Sequence, residues 1–404
     1  MHSIYLVDYR NAGHFFQRLI AADPTRTHHI ISTVHSVRAQ EGSRTGLTHI
    51  HLLSARSGRK KFDLSRTRER ALGCMPQRRC LNLFRSVEQA IADSIKQYAA
   101  TADETTIFVW NGATVMGEAA RQFQQDSGCH VVFMEISNLP GKIFADPKGT
   151  NAQALLFSEP SLLNRFQGDL DAYPQWRDSF IQQRKHLHAP PQATTARQLG
   201  IQHVTDAVHA LLFGYRHFSW AAALDKIGSQ FRSCFQSRRQ RRPVSIPTGN
   251  YVFFPMQVSS DTQLLLNSKL NNIQALEKIS SECPTRIVIK PHPAEIDTRY
   301  IGAAIAEAKL EDRVEISDCN TTKLIEGADS VYTINSTVGL EAKILGKTTC
   351  FLAKSIYAQI DQSMLPNYVM SYLLDVDFFD SGNAPIPLQI VEQLHTRARL
   401  RATN

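Results

Sequence analysis

The sequence predicts an α/β protein made of two halves, each with a parallel sheet. Three observations lead there. Short apolar runs of strand character alternate with helix-spaced segments twice along the chain, a stretch at 243–250 separates the two series, and 404 residues exceed one ordinary core.

The first series opens with a strand at 4–7, a polar turn at 8–14 and a helix from Phe15, followed by strands at 29–34 and 48–53. Residues 54–79 are basic and poorly periodic, which predicts an exposed loop with some helix. A helix at 83–99 leads to a strand at 106–110 that ends in Asn111-Gly112, then to a helix through Phe123 and a strand at 131–134 running into Glu135. Residues 138–151 are rich in turn formers and read as one long loop at a strand's carboxyl end, a common place for function. From 161 to 242 the pattern is helical, broken at Pro174, Pro190 and Pro191. Its amphipathic part, 207–235, is compatible with a buried face of a helical subdomain or with docking on a membrane surface.

The second series runs strand 251–254, helix 262–280, strand 286–289, helix 298–308, strand 314–316, helix 321–327, strand 331–334, helix 337–345 and strand 349–352. A basic amphipathic helix at 385–401 closes the chain. The domain expectation is 1–245, 246–380 and a terminal helix within 381–404. Two such halves, a linker and a terminal helix make a GT-B-like arrangement: Rossmann-like domains facing across a cleft, a helical insertion, and a last helix that returns to the first domain. Other two-domain α/β folds stay open at this point.

The formal net charge of +8 favours an anionic partner: a nucleotide, a phospholipid surface, an acidic glycan or nucleic acid. The excess lies mainly in 56–79 and in Arg238-Arg239-Gln240-Arg241-Arg242, runs that also suit a plain solvated face. No nucleic-acid motif accompanies them, so no nucleic-acid partner is expected. Seven cysteines are scattered without CxxC pairs or zinc-like spacing, which argues for a reducing compartment and no structural metal. Met1 to Asp8 reads as a strand rather than a signal peptide, and no apolar run reaches the roughly 18 residues of a membrane span. The expectation is a cytoplasmic protein, peripheral on the inner membrane.

Three strand ends carry the candidate chemistry: Phe253 to Asp261, Arg286 to Pro293, and Asn335 to Ala342. In an open α/β sheet such edges collect ligand-binding groups. At the third, Ser336 or Thr337 caps a helix, Gly339 lets a ligand approach the backbone, and Glu341 is placed to accept hydrogen bonds from ribose hydroxyls; an ordinary capped helix is the plain alternative. His292, between two prolines, is presented stiffly enough to hold or protonate a leaving phosphate. Asp261 is either an N-cap or a nucleophile at a sugar carbon, with Gln257 beside it. Glu135 is a candidate acid or base for an acceptor hydroxyl if burial raises its pKa. The chain lacks GxGxxG at its first strand, a Walker loop and GxSxG. Asp169-Leu170-Asp171 and Asp375-Val376-Asp377 have metal-nucleotide spacing but lie outside the three edges, so a metal-independent transferase with no cofactor fits better.

These stretches, with Trp110-Asn111-Gly112, Pro140-Gly141 and Asp146-Pro147-Lys148-Gly149-Thr150-Asn151, resemble capsule polysaccharide biosynthesis proteins of the KpsS/KpsC type, retaining β-Kdo transferases that use CMP-Kdo. A single catalytic unit and the PGxxxxDPxGxN-like loop look more like KpsS, which starts the linker on a phosphatidylglycerol-type lipid. The resemblance implies Asp261 as nucleophile, Glu135 as acid/base and His292 as a phosphate contact. It also implies Gln257, Lys290, Asn335, Ser336, Thr337, Gly339, Glu341, Asn111 and Asn151 as substrate-binding residues. The implied partners are the CMP-sugar donor, a lipid acceptor at the inner membrane surface and other capsule assembly proteins. Two alternatives stay open: a transferase for another sugar or onto a glycan acceptor, and a non-catalytic component of capsule export or assembly.

Overall fold

The computed structural model describes residues 1–39, 45–50, 62–137, 139–186, 246–259, 261–293, 295 and 299–402. In chain order it begins with β1 (His2–Val7), α1 (Arg10–Ala22), β2 (Thr27–Ser32), β3 (Thr45–His49), α2 (Arg68–Ala71), α3 (Gln77–Gln97), β4 (Thr105–Trp110), α4 (Val115–Ser127), β5 (His130–Ile136) and β6 (Lys142–Asp146). It continues with α5 (Ala172–His186), β7 (Val252–Pro255), α6 (Thr262–Asn267), α7 (Asn272–Glu282), β8 (Ile287–Lys290), α8 (Arg299–Glu307), β9 (Val314–Ile316) and α9 (Thr321–Gly327). The last elements are β10 (Ser330–Thr333), α10 (Val338–Ile344), β11 (Thr348–Phe351), β12 (Leu374–Asp375) and α11 (Leu388–Ala398), with a few single turns between.

These elements form two compact units, each with its own sheet. The first holds Met1–Arg165 and Ser371–Asn404, and its strands lie in the order β12-β6-β5-β4-β1-β2-β3. β1 to β5 are parallel, and β6 and β12 add an antiparallel edge. Near-continuous apolar strands such as β4 have both faces covered, as parallel sheets require. α1 and α11 cover one face through Phe15, Phe16, Leu19, Val391 and Leu394; α3 and α4 cover the other through Leu83, Phe84, Val87, Ile91 and Met116. The last helix therefore does return to the first unit, where His395 also bonds Thr106 of β4 at 3.0 Å.

In the second unit the order is β11-β10-β7-β8-β9, all parallel. Its core lies on both faces too, with Leu276, Ile279, Ile301 and Ile305 on one and Leu324, Ile325 and Ala342 on the other. In both units the chain builds outward from its first strand, then returns to that strand's other side. The order reverses between β1 and β4 in the first unit and between β7 and β10 in the second. Such reversal points leave a crevice at the carboxyl ends of the strands.

Three expectations change. Residues 138–151 are not one loop, because 142–146 form β6, fully buried and antiparallel to β5, turned by Gly141 at φ 66°. The helix expected over 262–280 is two helices, because Asn271 starts α7 with a capping box through Gln274. The described part of the helical stretch, α5, clusters with the second unit, which ends at Met370. The amphipathic run 207–235 and the basic run 238–242 lie outside the described residues.

Candidate active site

The second unit brings most of the expected residues to one edge. β7 ends at Pro255, and the following turn carries Gln257 and Asp261; β8 ends at Lys290, just before His292; β10 ends before Asn335 to Thr337. β7 pairs with both β8 and β10, so the three loops start side by side. Glu295 joins two of them, accepting from Ser259 N–H at 2.8 Å and Ser259 Oγ at 2.9 Å.

Gln257 and Asn335 lie beneath these loops, 5% and 2% exposed. Gln257 Nε2 donates to Asn335 Oδ1 at 2.9 Å, and Asn335 N–H donates to Gln257 Oε1 at 3.1 Å. Asn335 Nδ2 donates to the Gln263 carbonyl at 2.9 Å. Asn272 exchanges two further bonds with the Gln257 backbone, at 3.0 and 2.7 Å. Buried amides need such partners, and these bonds hold β7, β10, α6 and α7 in register. Both residues support the edge from below.

Asp261 is the N-cap of α6, accepting from Gln263 N–H through Oδ1 at 2.8 Å. Its carboxylate is also close enough to His292 to favour the charged imidazole, as Glu295 does, while desolvation by the surrounding loops lowers the His292 pKa more strongly even though the residue stays exposed. The cap and the chemical role are compatible, because the cap fixes the direction of the carboxylate. Lys290 donates to the Cys319 carbonyl at 2.6 Å, and burial depresses its pKa. Ser336 Oγ accepts from Val338 N–H at 3.2 Å, whereas the Thr337 side chain makes no cap bond.

Gly339 has a packing role in the helix it opens. A Cβ there would lie 2.4 Å from the Phe351 ring and 2.9 Å from Thr333 Cγ2. The missing side chain lets α10 seat on β10 and β11. Glu341 is buried against Arg184 of α5, Nη2 to Oε1 at 3.1 Å. Burial raises the Glu341 pKa and Arg184 pulls it back. Arg184 went unnoticed in the sequence because it belongs to no motif.

The remaining expected residues belong to the first unit. Glu135, half-buried near the end of β5, lies close enough to Tyr9 to influence its hydroxyl. Asn111 follows β4 with φ 56°, its N–H donating to the Met134 carbonyl at 2.8 Å. Asn151 is buried with φ 47° and begins a single 3-10 turn. Asp146 supports that loop, accepting from the N–H groups of Lys148, Gly149, Leu155 and Leu156 and from the Tyr372 hydroxyl at 2.8 to 3.2 Å.

A further carboxyl lies at the β1/β4 reversal point. Asp8 is 7% exposed and its Oδ1 has no hydrogen-bond partner among the described residues. Burial raises its pKa to about 6, with Arg68 and Thr114 opposing. Glu69, which accepts from Val115 N–H at 3.1 Å, is raised to about 7 by burial and then by Asp8. No group of three or more metal-ligating side chains occurs among the described residues, and no described helix is long and apolar enough to cross a membrane.

Protein FixF of Sinorhizobium fredii (strain NBRC 101917 / NGR234) is 37% identical to this chain over 128 residues, and the match spans 30% of this chain and 30% of that protein. Among solved structures, Thermosulfurimonas dismutans KpsC, beta Kdo 2,7 transferase, is similar at a TM-score of 0.38 and 16% identity, covering 76% of this chain and 89% of that one. Methanocaldococcus jannaschii UDP-GlcNAc 2-epimerase is similar at a TM-score of 0.30 and 12% identity, covering 98% and 100%. The family model described as capsule polysaccharide biosynthesis protein matches residues 146–361, more than half of the 404, and the chain belongs to that family.

Proposed function

We propose that the protein is a retaining glycosyltransferase of capsule synthesis that moves β-Kdo from CMP-Kdo to a hydroxyl of a phosphatidylglycerol-type lipid. The observation that supports this reading most is that Asp261 and His292 follow the adjacent strands β7 and β8 of the second unit, close enough for the carboxylate to favour the charged imidazole. Family membership and the resemblance of the motifs to β-Kdo transferases add to it.

In this mechanism Asp261 Oδ2 attacks the anomeric carbon of Kdo, the bond from that carbon to the phosphate oxygen breaks, and CMP leaves with the electron pair. His292 stabilises the departing phosphate by hydrogen bonding. The acceptor oxygen then attacks the same carbon, gives its proton to a general base and releases the Asp261 carboxylate; Glu135 is the residue that the motifs offer for that base. Two displacements at one centre preserve the anomeric configuration. The excess of basic residues suits both an anionic donor and an acceptor in an anionic leaflet, where membrane contact is peripheral. No metal or organic cofactor enters this scheme.

The test is incubation of the protein with CMP-Kdo and lysophosphatidylglycerol. A β-linked Kdo glycolipid supports the reading. Donor consumption without glycolipid moves the acceptor to another class, and no reaction with CMP-Kdo overturns the donor.

A further inference from the structure

The last turn of α5 is fastened to the rest of the second unit at three points. Asn320 Nδ2 donates to the Arg184 carbonyl at 3.0 Å while its Oδ1 caps α9 by accepting from Thr322 and Lys323 N–H. Lys185 Nζ pairs with Glu326 at 2.7 Å. Arg184 pairs with Glu341 at 3.1 Å, the two side chains 11% and 13% exposed, and its guanidinium lies over the Phe180 ring. A long cation restrained this way has little freedom left to lose when it acts on a partner.

That partner occupies a defined place. Side chains on a helix lean toward its N-terminus, so Glu341 covers the first turn of α10, next to the loop that follows β10 at the reversal point. Arg184 engages Oε1, and no hydrogen bond to Oε2 is present among the described residues. Without a cation beside it, a carboxyl this buried takes up a proton, and its capacity to accept hydrogen bonds falls. As a carboxylate it accepts from two neighbouring hydroxyls, as a ribose presents them.

We propose that Arg184 is a positioning residue of the donor site: it holds Glu341 as an oriented carboxylate that accepts the 2′- and 3′-hydroxyls of a ribonucleotide and so selects ribose over deoxyribose. This rests on the reading of the donor as a cytidine nucleotide. CMP alone is the probe, so sugar transfer is not needed to test it.

Calorimetric titration of the intact protein with CMP and with 2′,3′-dideoxy-CMP provides the measurement. The unmodified protein prefers CMP by about tenfold or more, the scale of lost hydrogen bonds to a charged group. In Arg184→Gln, whose amide still donates to Glu341 and so eases its burial, the preference drops to about twofold or less. Glu341→Gln loses the preference as well, and adding Arg184→Gln to it changes the preference no further.

Equal weakening of both nucleotides in Arg184→Gln, with the preference kept, makes Arg184 merely structural and overturns the inference. Glu341→Gln leaves no buried carboxylate, so it stays informative if the arginine variant fails to fold; a preference retained there overturns the inference too. Binding of both nucleotides without preference by the unmodified protein overturns the inference alone. Binding of neither overturns the cytidine reading together with it.

Discussion

Gln257 and Asn335, 78 residues apart in sequence, exchange two hydrogen bonds between side-chain amides and backbone, Nε2 to Oδ1 at 2.9 Å and N–H to Oε1 at 3.1 Å. This exchange ties the ends of neighbouring β7 and β10 at the point where the order of the second sheet reverses. The chemistry proposed for Asp261 and His292 depends on that edge staying in register.

Asn335→Leu strands the Gln257 amide in a buried position, which costs about 1–3 kcal/mol. The midpoint of urea unfolding should fall accordingly. A variant that lost nucleotide binding with unchanged stability would return Asn335 to the role of a ligand contact.

Gly339→Ala drives a methyl into the Phe351 ring, and overpacking of this kind costs about 1–3 kcal/mol. Phe351→Leu in the same chain gives the methyl room and should restore part of the loss. Thermal unfolding of the single and double variants measures both effects. A stable Gly339→Ala protein with impaired donor binding would contradict the packing role.

Two kinds of buried group make stability depend on pH with opposite signs. Burial raises Asp8 from 3.8 to about 6, so its contribution is complete below about pH 4 and is lost as pH rises through 6. Asp8→Asn should therefore gain on the unmodified protein between pH 4 and pH 7, by up to about 3 kcal/mol. His395 is lowered from 6.5 to about 3 by burial, so its contribution is complete above pH 6.5 and is lost as pH falls toward 3. His395→Gln should flatten that acid limb. Urea unfolding at pH 4.5 and 7.5 checks both, and parallel pH curves for variants and parent would contradict the assignments.

The parallel strands are legible because each is a short apolar run bounded by polar turns. β6 was hidden by the turn formers around it: Pro140-Gly141 before Lys142 and Pro147-Lys148-Gly149 after Asp146 make five buried residues look like loop. The break between α6 and α7 was visible only as Asn271 with Gln274 three residues on, a capping signal inside an apolar periodicity that ran straight through.

Gly339 and Arg184 show the limit for the site. A glycine one turn into a helix after a strand reads equally well as ligand approach or helix seating, and only the position of Phe351 decides. Arg184 lies 157 residues before the carboxylate it pairs with, and nothing in its neighbours announces that partner. Local pattern carries strands, caps and strand-end motifs; pairings made by tertiary packing leave no periodic trace.

The central claim is that Asp261 carries the sugar, and Asp261→Asn isolates it. Asparagine caps a helix as well as aspartate does, so α6 and the stability of the protein should be kept, while the amide is no longer a nucleophile. Intact-protein mass spectrometry after mixing with CMP-Kdo is predicted to show one Kdo bound to the unmodified protein and none to Asp261→Asn, with the bound sugar mapping to the peptide that contains residue 261. A folded Asp261→Asn protein that still transfers Kdo with the same anomeric outcome would contradict the account.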